Sequence, residues 1–173
     1  VTRFWYWRWR LLGHEPPTCL GCGGPLHQQA VAWCHAAAGQ VELTLHGLPF
    51  RACNAGCTDR RQARAGFHSE LELVLLESGA VPAAQPGTQG STLTCYHCAS
   101  RSWRTDSTVG HVHGTLEFPG LPSIDAAVRG PLLTCGGCGH SQLAPSASVR
   151  LDLAAALRRA IEAAGIRTTF RRD

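Results

Sequence analysis

Eight of the nine cysteines stand in four close pairs, Cys19/Cys22, Cys53/Cys57, Cys95/Cys98 and Cys135/Cys138. Two residues between thiols form a turn that chelates one ion and form a poor disulfide. Four thiolates in a tetrahedron suit Zn(II), which is structural there and needs no water ligand; an iron centre fits the same spacing. Catalytic zinc keeps an open coordination position, typically with His or carboxylate ligands, whereas both sets here are all sulfur. No HExxH, GxSxG or phosphate-binding glycine loop accompanies them. The expectation is two structural Zn(2+) ions held by Cys19, Cys22, Cys53, Cys57, Cys95, Cys98, Cys135 and Cys138, and no catalytic residue.

The pairs repeat along the chain as knuckle, intervening segment, second knuckle and helix. Thirty residues separate Cys22 from Cys53 and 36 separate Cys98 from Cys135, room in each case for a small antiparallel sheet. Sequential pairing follows, the first two knuckles on one ion and the last two on the other. A cross-braced arrangement would thread the intervening linker and helix between sites. The second knuckle, "CNAGC", has three residues between its thiols; Gly56 eases a wider turn, and a looser, oxidation-sensitive site is the sharper alternative. Cys34 stands alone, as a small buried residue or, with His35, a substitute ligand. His97 and His140 adjoin knuckles and are read as orienting the sulfurs. His111 and His113 share one strand face and are read as solvated.

The elements that must position these thiols are visible as patterns. "VELTLH" (41–46) alternates, with Val41, Leu43 and Leu45 on one side; "HVHGTLEF" (111–118) does likewise, with Val112, Leu116 and Phe118 together. Each leads into Gly-Leu-Pro, at 47–49 and 120–122. Ser69 and Glu72 form an S-x-x-E capping box before an apolar run that Gly79 stops. Ser148 caps a second helix ending before Gly165, with Val149, Leu153, Ala156, Leu157, Ala160, Ile161 and Ala164 at helical spacing. The fold class expected is a small metal-stabilised α+β protein: two tandem zinc ribbons with short antiparallel sheets, each followed by a helix. The segments are an aromatic/Arg strand (1–17), ribbon 1 plus helix (18–79), a linker (80–92), ribbon 2 plus helix (93–166) and a basic tail (167–173).

The chain has 173 residues and a formal net charge of +4. All of its basic residues are Arg, a bias that GC-rich coding also produces, so arginine richness argues weakly for a polyanionic partner. No secretory signal is visible and no apolar run approaches the roughly 20 residues of a membrane span. A cytoplasmic location is therefore expected, where paired thiols stay reduced and bind metal. Each half alone is short of large apolar side chains, and structural zinc, worth an apparent ~10–16 kcal/mol, decides whether such a module folds.

The stretch "TCLGCGGPL…VELTLHGLPFRACNAGC…ELELVLLESGA" resembles the YgiT-type zinc-ribbon family, the zinc module of MqsA-like antitoxins, and the second half repeats the plan with a longer middle. A weaker similarity is to bacterial proteins described as "double CxxCG", some of them immunity proteins, through "CLGCG" and "CGGCG". The resemblance implies a zinc-stabilised platform that binds another protein, in that family often a toxin. Antitoxins of this type carry a C-terminal helix-turn-helix; the residues after Cys138 are too few for one, so DNA binding is not implied. The widened second knuckle also departs from the family pattern.

"RFWYWRWRLL" (3–12) stands outside the repeats. As a strand it places Trp5, Trp7 and Trp9 on one face with Arg8 and Arg10 on the other. Such a row either lies on a ribbon core or stacks on single-stranded nucleic acid. Three functions are therefore weighed: a non-enzymatic module whose partner is another protein; a nucleic-acid binder using Trp5, Trp7, Trp9, Arg8, Arg10, Arg60, Arg61, Arg64 and the tail; and a thiol-based redox or metal sensor.

Overall fold

A computed structural model describes residues 18–77, 94–95, 97–104, 108–144 and 146–167. The aromatic arm with Trp5, Trp7, Trp9, Arg8 and Arg10, the linker 80–92, Gly79 and the tail beyond Arg167 lie outside the described residues.

One bent β-hairpin organises the fold. Its outgoing limb is β1 (Leu26–Val31) and β2 (Cys34–Ala38); its returning limb is β3 (Val41–His46) and β4 (Leu48–Cys53). A single register runs the whole length, from Leu26 opposite Cys53, through Val31 opposite Leu48 and Cys34 opposite Leu45, to Ala38 opposite Val41. The tight turn at its tip needs Gly39, at φ 53°, because only glycine adopts that conformation cheaply. A Cβ at Gly39 would also stand 2.3 Å from the Asp152 carboxylate, which accepts the Gln40 N–H at 3.0 Å.

The hairpin bends at the first Gly-Leu-Pro. Gly47 sits at φ 79° and donates its N–H back to the Val31 carbonyl at 3.0 Å. The bend sends the two ends of the hairpin into different antiparallel sheets. One is three-stranded, in the order β1-β4-β5 with β5 at Arg60–Gln62. The other is five-stranded, β2-β3-β7-β6, with β8 also on β7; here β6 is Thr108–Leu116, β7 is Ile124–Thr134 and β8 is Ser141–Leu143.

The two sequence halves meet within the larger sheet. β3 from the first pairs with β7 from the second, Glu42 opposite Arg129 through His46 opposite Asp125. On its solvent face the Arg129 guanidinium bonds Glu42 at 2.6 Å. On the inner face Val41, Leu43 and Leu45 are fully buried, beside Val128 and Ile124. That is the alternation expected of 41–46, each leucine contributing about 2 kcal/mol by its burial.

Helix α1 spans Phe67–Glu77 and α2 spans Ala147–Ala163. The stripe of α2 is buried from Val149 to Ile161 and packs on β2 and β3, strands of the other half. Both helix starts differ from expectation. α2 is capped by Ser146, whose hydroxyl accepts the Val149 N–H at 3.2 Å, and not by Ser148, which instead bonds the Ser146 hydroxyl. α1 begins two residues before Ser69: Phe67 is buried edge-on to Phe118, drawing the first turn inward, and the Gln62 side chain accepts the His68 N–H at 2.9 Å. Ser69 and Glu72 therefore lie inside the helix. The end of α2 is as the sequence implies: Gly165 at φ 68° lets Ile166 bond the Ile161 carbonyl at 3.1 Å and bury itself.

The architecture is a small α+β fold with two antiparallel sheets, two helices and two four-cysteine clusters among the described residues.

Candidate metal centres

The first cluster forms where β1 and β4 begin and end side by side. Leu26 pairs with Cys53, and the Thr18–Pro25 bridge folds the first knuckle back over that end. Within the knuckle, Cys19 N–H bonds the Gly24 carbonyl and Gly23 N–H bonds the Cys19 carbonyl, both at 2.8 Å. The second cluster forms at the end of β7. Cys135 follows Thr134 directly, and the third knuckle is tied there by the Trp103–Cys135 bridge, by Gly136 N–H on Ser102 O (2.8 Å) and by Arg104 N–H on Thr134 O (2.9 Å).

Cys19, Cys22, Cys53 and Cys57 bring their sulfurs within 4.8 Å of one another, and so do Cys95, Cys98, Cys135 and Cys138. The pairing is sequential. Individual separations are 3.4 Å for Cys22–Cys53, 3.7 Å for Cys95–Cys138 and 3.6 Å for Cys98–Cys135. Bonds of about 2.3 Å in a tetrahedron place sulfurs about 3.8 Å apart, so the separations fit four ligands round one ion. None of the nine cysteines is in a disulfide.

Backbone amides aim at the sulfurs. Gly21, Ala55 and Gly137 donate to Cys19, Cys53 and Cys135 at 3.4, 3.4 and 3.3 Å, each from two residues further along. Four such thiols in contact cannot all ionise without a cation. The Gly24 amide, above all, holds Cys22 at about 7, whereas contact with the Cys22 and Cys19 sulfurs pushes Cys57 up to about 12. A divalent ion removes that conflict, and each cluster can hold one.

The wide second knuckle closes like the others, with Gly56 at φ 76° absorbing the extra residue. After the second cysteine, Gly23 and Gly139 take φ 67° and 74°, and Ala99 takes φ 56° at the matching place in the third knuckle.

Cys34 belongs to neither cluster; it is a buried core residue whose thiol burial pushes up. His35 bonds Thr44 at 3.0 Å and is no substitute ligand. His97 and His140 stack on each other at 5.5 Å, exposed beside the second cluster. His111 and His113 stack on the open face of β6 at 5.9 Å.

The arginines of "RRQAR" have internal partners. Arg60 bonds the Ala164 carbonyl at 3.0 Å and lies over Phe50, Arg61 pairs with Asp59 at 3.0 Å, and Arg64 holds Glu70 and the Pro119 carbonyl.

Asp59 is a support the knuckle pattern alone does not reveal. It is 5% exposed, takes the Arg61 guanidinium on both oxygens and accepts the Leu20 amide inside the first knuckle. Its signal in the sequence is an acid and an arginine directly behind the second knuckle, "CTDRR". Leu20 and Trp33, also unmarked by any pattern, stand 60% and 59% exposed, on the first knuckle and at the hairpin bend. No described helix is long and apolar enough to cross a membrane. Compared with protein-family models, curated proteins and solved structures, the chain matches none.

Proposed function

We propose that the protein is a non-enzymatic, cytoplasmic binding module stapled by two structural zinc ions, of antitoxin, immunity or regulatory type, whose partner is another protein. The closed four-sulfur sets carry this reading. An ion held by four thiolates has no vacancy for substrate or activated water, so its role is to hold the chain. Zinc is the ion because it accepts four thiolates at these separations without redox chemistry. The YgiT-type resemblance, with its ribbon identity, agrees with that role.

A metal-braced knuckle is also a rigid platform, and this one presents Leu20 to solvent while Trp33 stands out from the hairpin bend. Large apolar side chains held rigidly are what protein partners bury as anchors. Nucleic-acid binding through Arg61 and Arg64 would first have to break the ion pairs each makes with Asp59 and Glu70.

Metal analysis with native mass spectrometry tests both parts. The chain should carry two zinc ions, lose one on Cys57→Ser and keep both on Cys34→Ala. A stoichiometric protein partner from native lysate should be lost on Leu20→Ala or Trp33→Ala with both zincs retained. Iron in place of zinc, a partner indifferent to both substitutions, or salt-sensitive retention of nucleic acid in place of a protein would overturn the reading.

A further inference from the structure

The edges of the two sheets are not protected alike. Along β2, Arg159 reaches across from α2 to bond the Ala37 carbonyl at 2.6 Å. β5 is closed by Arg167, which bonds Arg60 O at 2.9 Å and receives Gln62 N–H at 3.1 Å. β1 begins under the Thr18–Pro25 bridge. β6 is different. It is a nine-residue edge strand, paired residue for residue with β7 from Thr108 to Leu116 without a bulge, and no described residue pairs with its outer side.

Proteins blunt such an edge with lysine, proline, bulges or inward charges. "TVGHVHGTL" has none of these. Its outer-face row, Val109, His111, His113 and Thr115, is exposed to solvent, Val109 by 61%. An edge of this length that no described residue covers is a template for another strand.

The sequence of β6 selects the strand that fits. Residues 110–114 read Gly-His-Val-His-Gly, the same in both directions about Val112, and the flanks Val109 and Thr115 are near-isosteres. Antiparallel pairing of two copies about a two-fold axis at Val112 therefore sets Gly110 opposite Gly114, His111 opposite His113 and Val109 opposite Thr115, twice over. Such a contact is isologous and closes on itself. No Asp, Glu, Lys or Arg lies on β6 to oppose its counterpart. We infer that the β6 edge is a homodimer interface, two copies pairing antiparallel about Val112 to join their larger sheets.

The pairing has a chemical consequence. Two imidazoles on one strand hold a metal ion weakly, but directly opposed cross-strand residues place their Cβ atoms about 5 Å apart. The seam thus gathers four imidazoles, His111 and His113 from each copy, on one face. That is a donor set for a divalent transition ion, separate from both four-cysteine clusters. The inference does not depend on the partner proposed above.

Sedimentation of the metal-loaded chain across the micromolar range, with and without added Ni(2+), tests it. The wild type should show a monomer–dimer equilibrium that Ni(2+) tightens. His111→Lys/His113→Lys sets like charges opposite each other and should raise the dimer dissociation constant about tenfold or more and abolish the Ni(2+) effect. Val109→Lys should weaken the dimer while leaving the Ni(2+) effect. Both variants should keep two structural metals per chain and native circular dichroism, which separates lost pairing from lost folding. A wild type that stays monomeric with and without Ni(2+), or a dimer indifferent to both substitutions, overturns the interface. A dimer weakened by lysine but unmoved by Ni(2+) overturns the register about Val112.

Discussion

The Leu20 amide donates to the Asp59 carboxylate at 2.9 Å, tying the first knuckle to the strand that follows the second. Asp59 is in turn held by Arg61, itself only 13% exposed. The first cluster is thus braced by a buried ion pair as well as by any ion its four sulfurs hold. The second has in the corresponding place, two residues after its last cysteine, the exposed His140.

Removing Asp59 should loosen the first centre selectively. Asp59→Ala leaves the Leu20 N–H and the Arg61 guanidinium without their acceptor, at a cost of about 3 kcal/mol. The expected result is a lower denaturation midpoint and faster transfer of one metal equivalent, not two, to a competing chelator. Burial alone would raise the Asp59 pKa, but hydrogen bonds from Arg61 and Leu20 outweigh it, and the folded value lies below the ordinary one. The stabilisation is therefore complete above about pH 3.9 and is lost as pH falls through the lower folded value. The gap between wild type and Asp59→Asn should accordingly be at its full size and independent of pH across the neutral range, where the metal stays bound. Equal loss of both metals would show that the brace is not local.

Ala99 offers a gain of stability. Its φ of 56° is one that L side chains enter at a cost of about 1 kcal/mol, and glycine holds the matching place in two other knuckles. Ala99→Gly should stabilise the metal-loaded protein by about 1 kcal/mol, and Gly139→Ala should destabilise it by a similar amount. Thermal melts of the two variants check the pair. An unchanged midpoint for Ala99→Gly would mean that the third knuckle does not hold this turn.

What the sequence disclosed is what is local. Thiol spacing picked out the four knuckles, because a two- or three-residue turn sets two sulfurs side by side, and the linker between the halves made their pairing sequential. Alternation gave the buried face of Val41, Leu43 and Leu45, and the three-four spacing gave the stripe from Val149 to Ile161. What stayed hidden is relational. A period of two says which side of β3 is buried but not that its neighbour is β7, eighty-odd residues away in the chain. Gly47-Leu-Pro reads as a strand end, whereas unbroken pairing on both sides makes it a bend. Gln62 capping α1 and Asp59 gripping Leu20 are single long-range contacts with no periodicity to betray them. The rows of alternate histidines say nothing of the edge on which they stand.

The shared sheet has a thermodynamic consequence for the two metal centres. β3 and β7 pair over five residues from Glu42 to His46, and α2 lies across β2 and β3 with Leu153, Ala156, Leu157 and Ala160 fully buried. Neither half can expose its strands without uncovering those of the other. Calorimetry of the metal-loaded protein should therefore show one transition, with calorimetric and van't Hoff enthalpies in agreement. Leu43→Ala, at the fully buried centre of the seam, should lower it by about 3 kcal/mol without splitting it. Cys135→Ser, which disables the second centre, should speed hydrogen exchange of β3 amides in the first half, since the strand loses the partner that protects it. Two resolved transitions, or β3 protection untouched by Cys135→Ser, would mean that each metal staples its own half alone and that the seam is too weak to couple them.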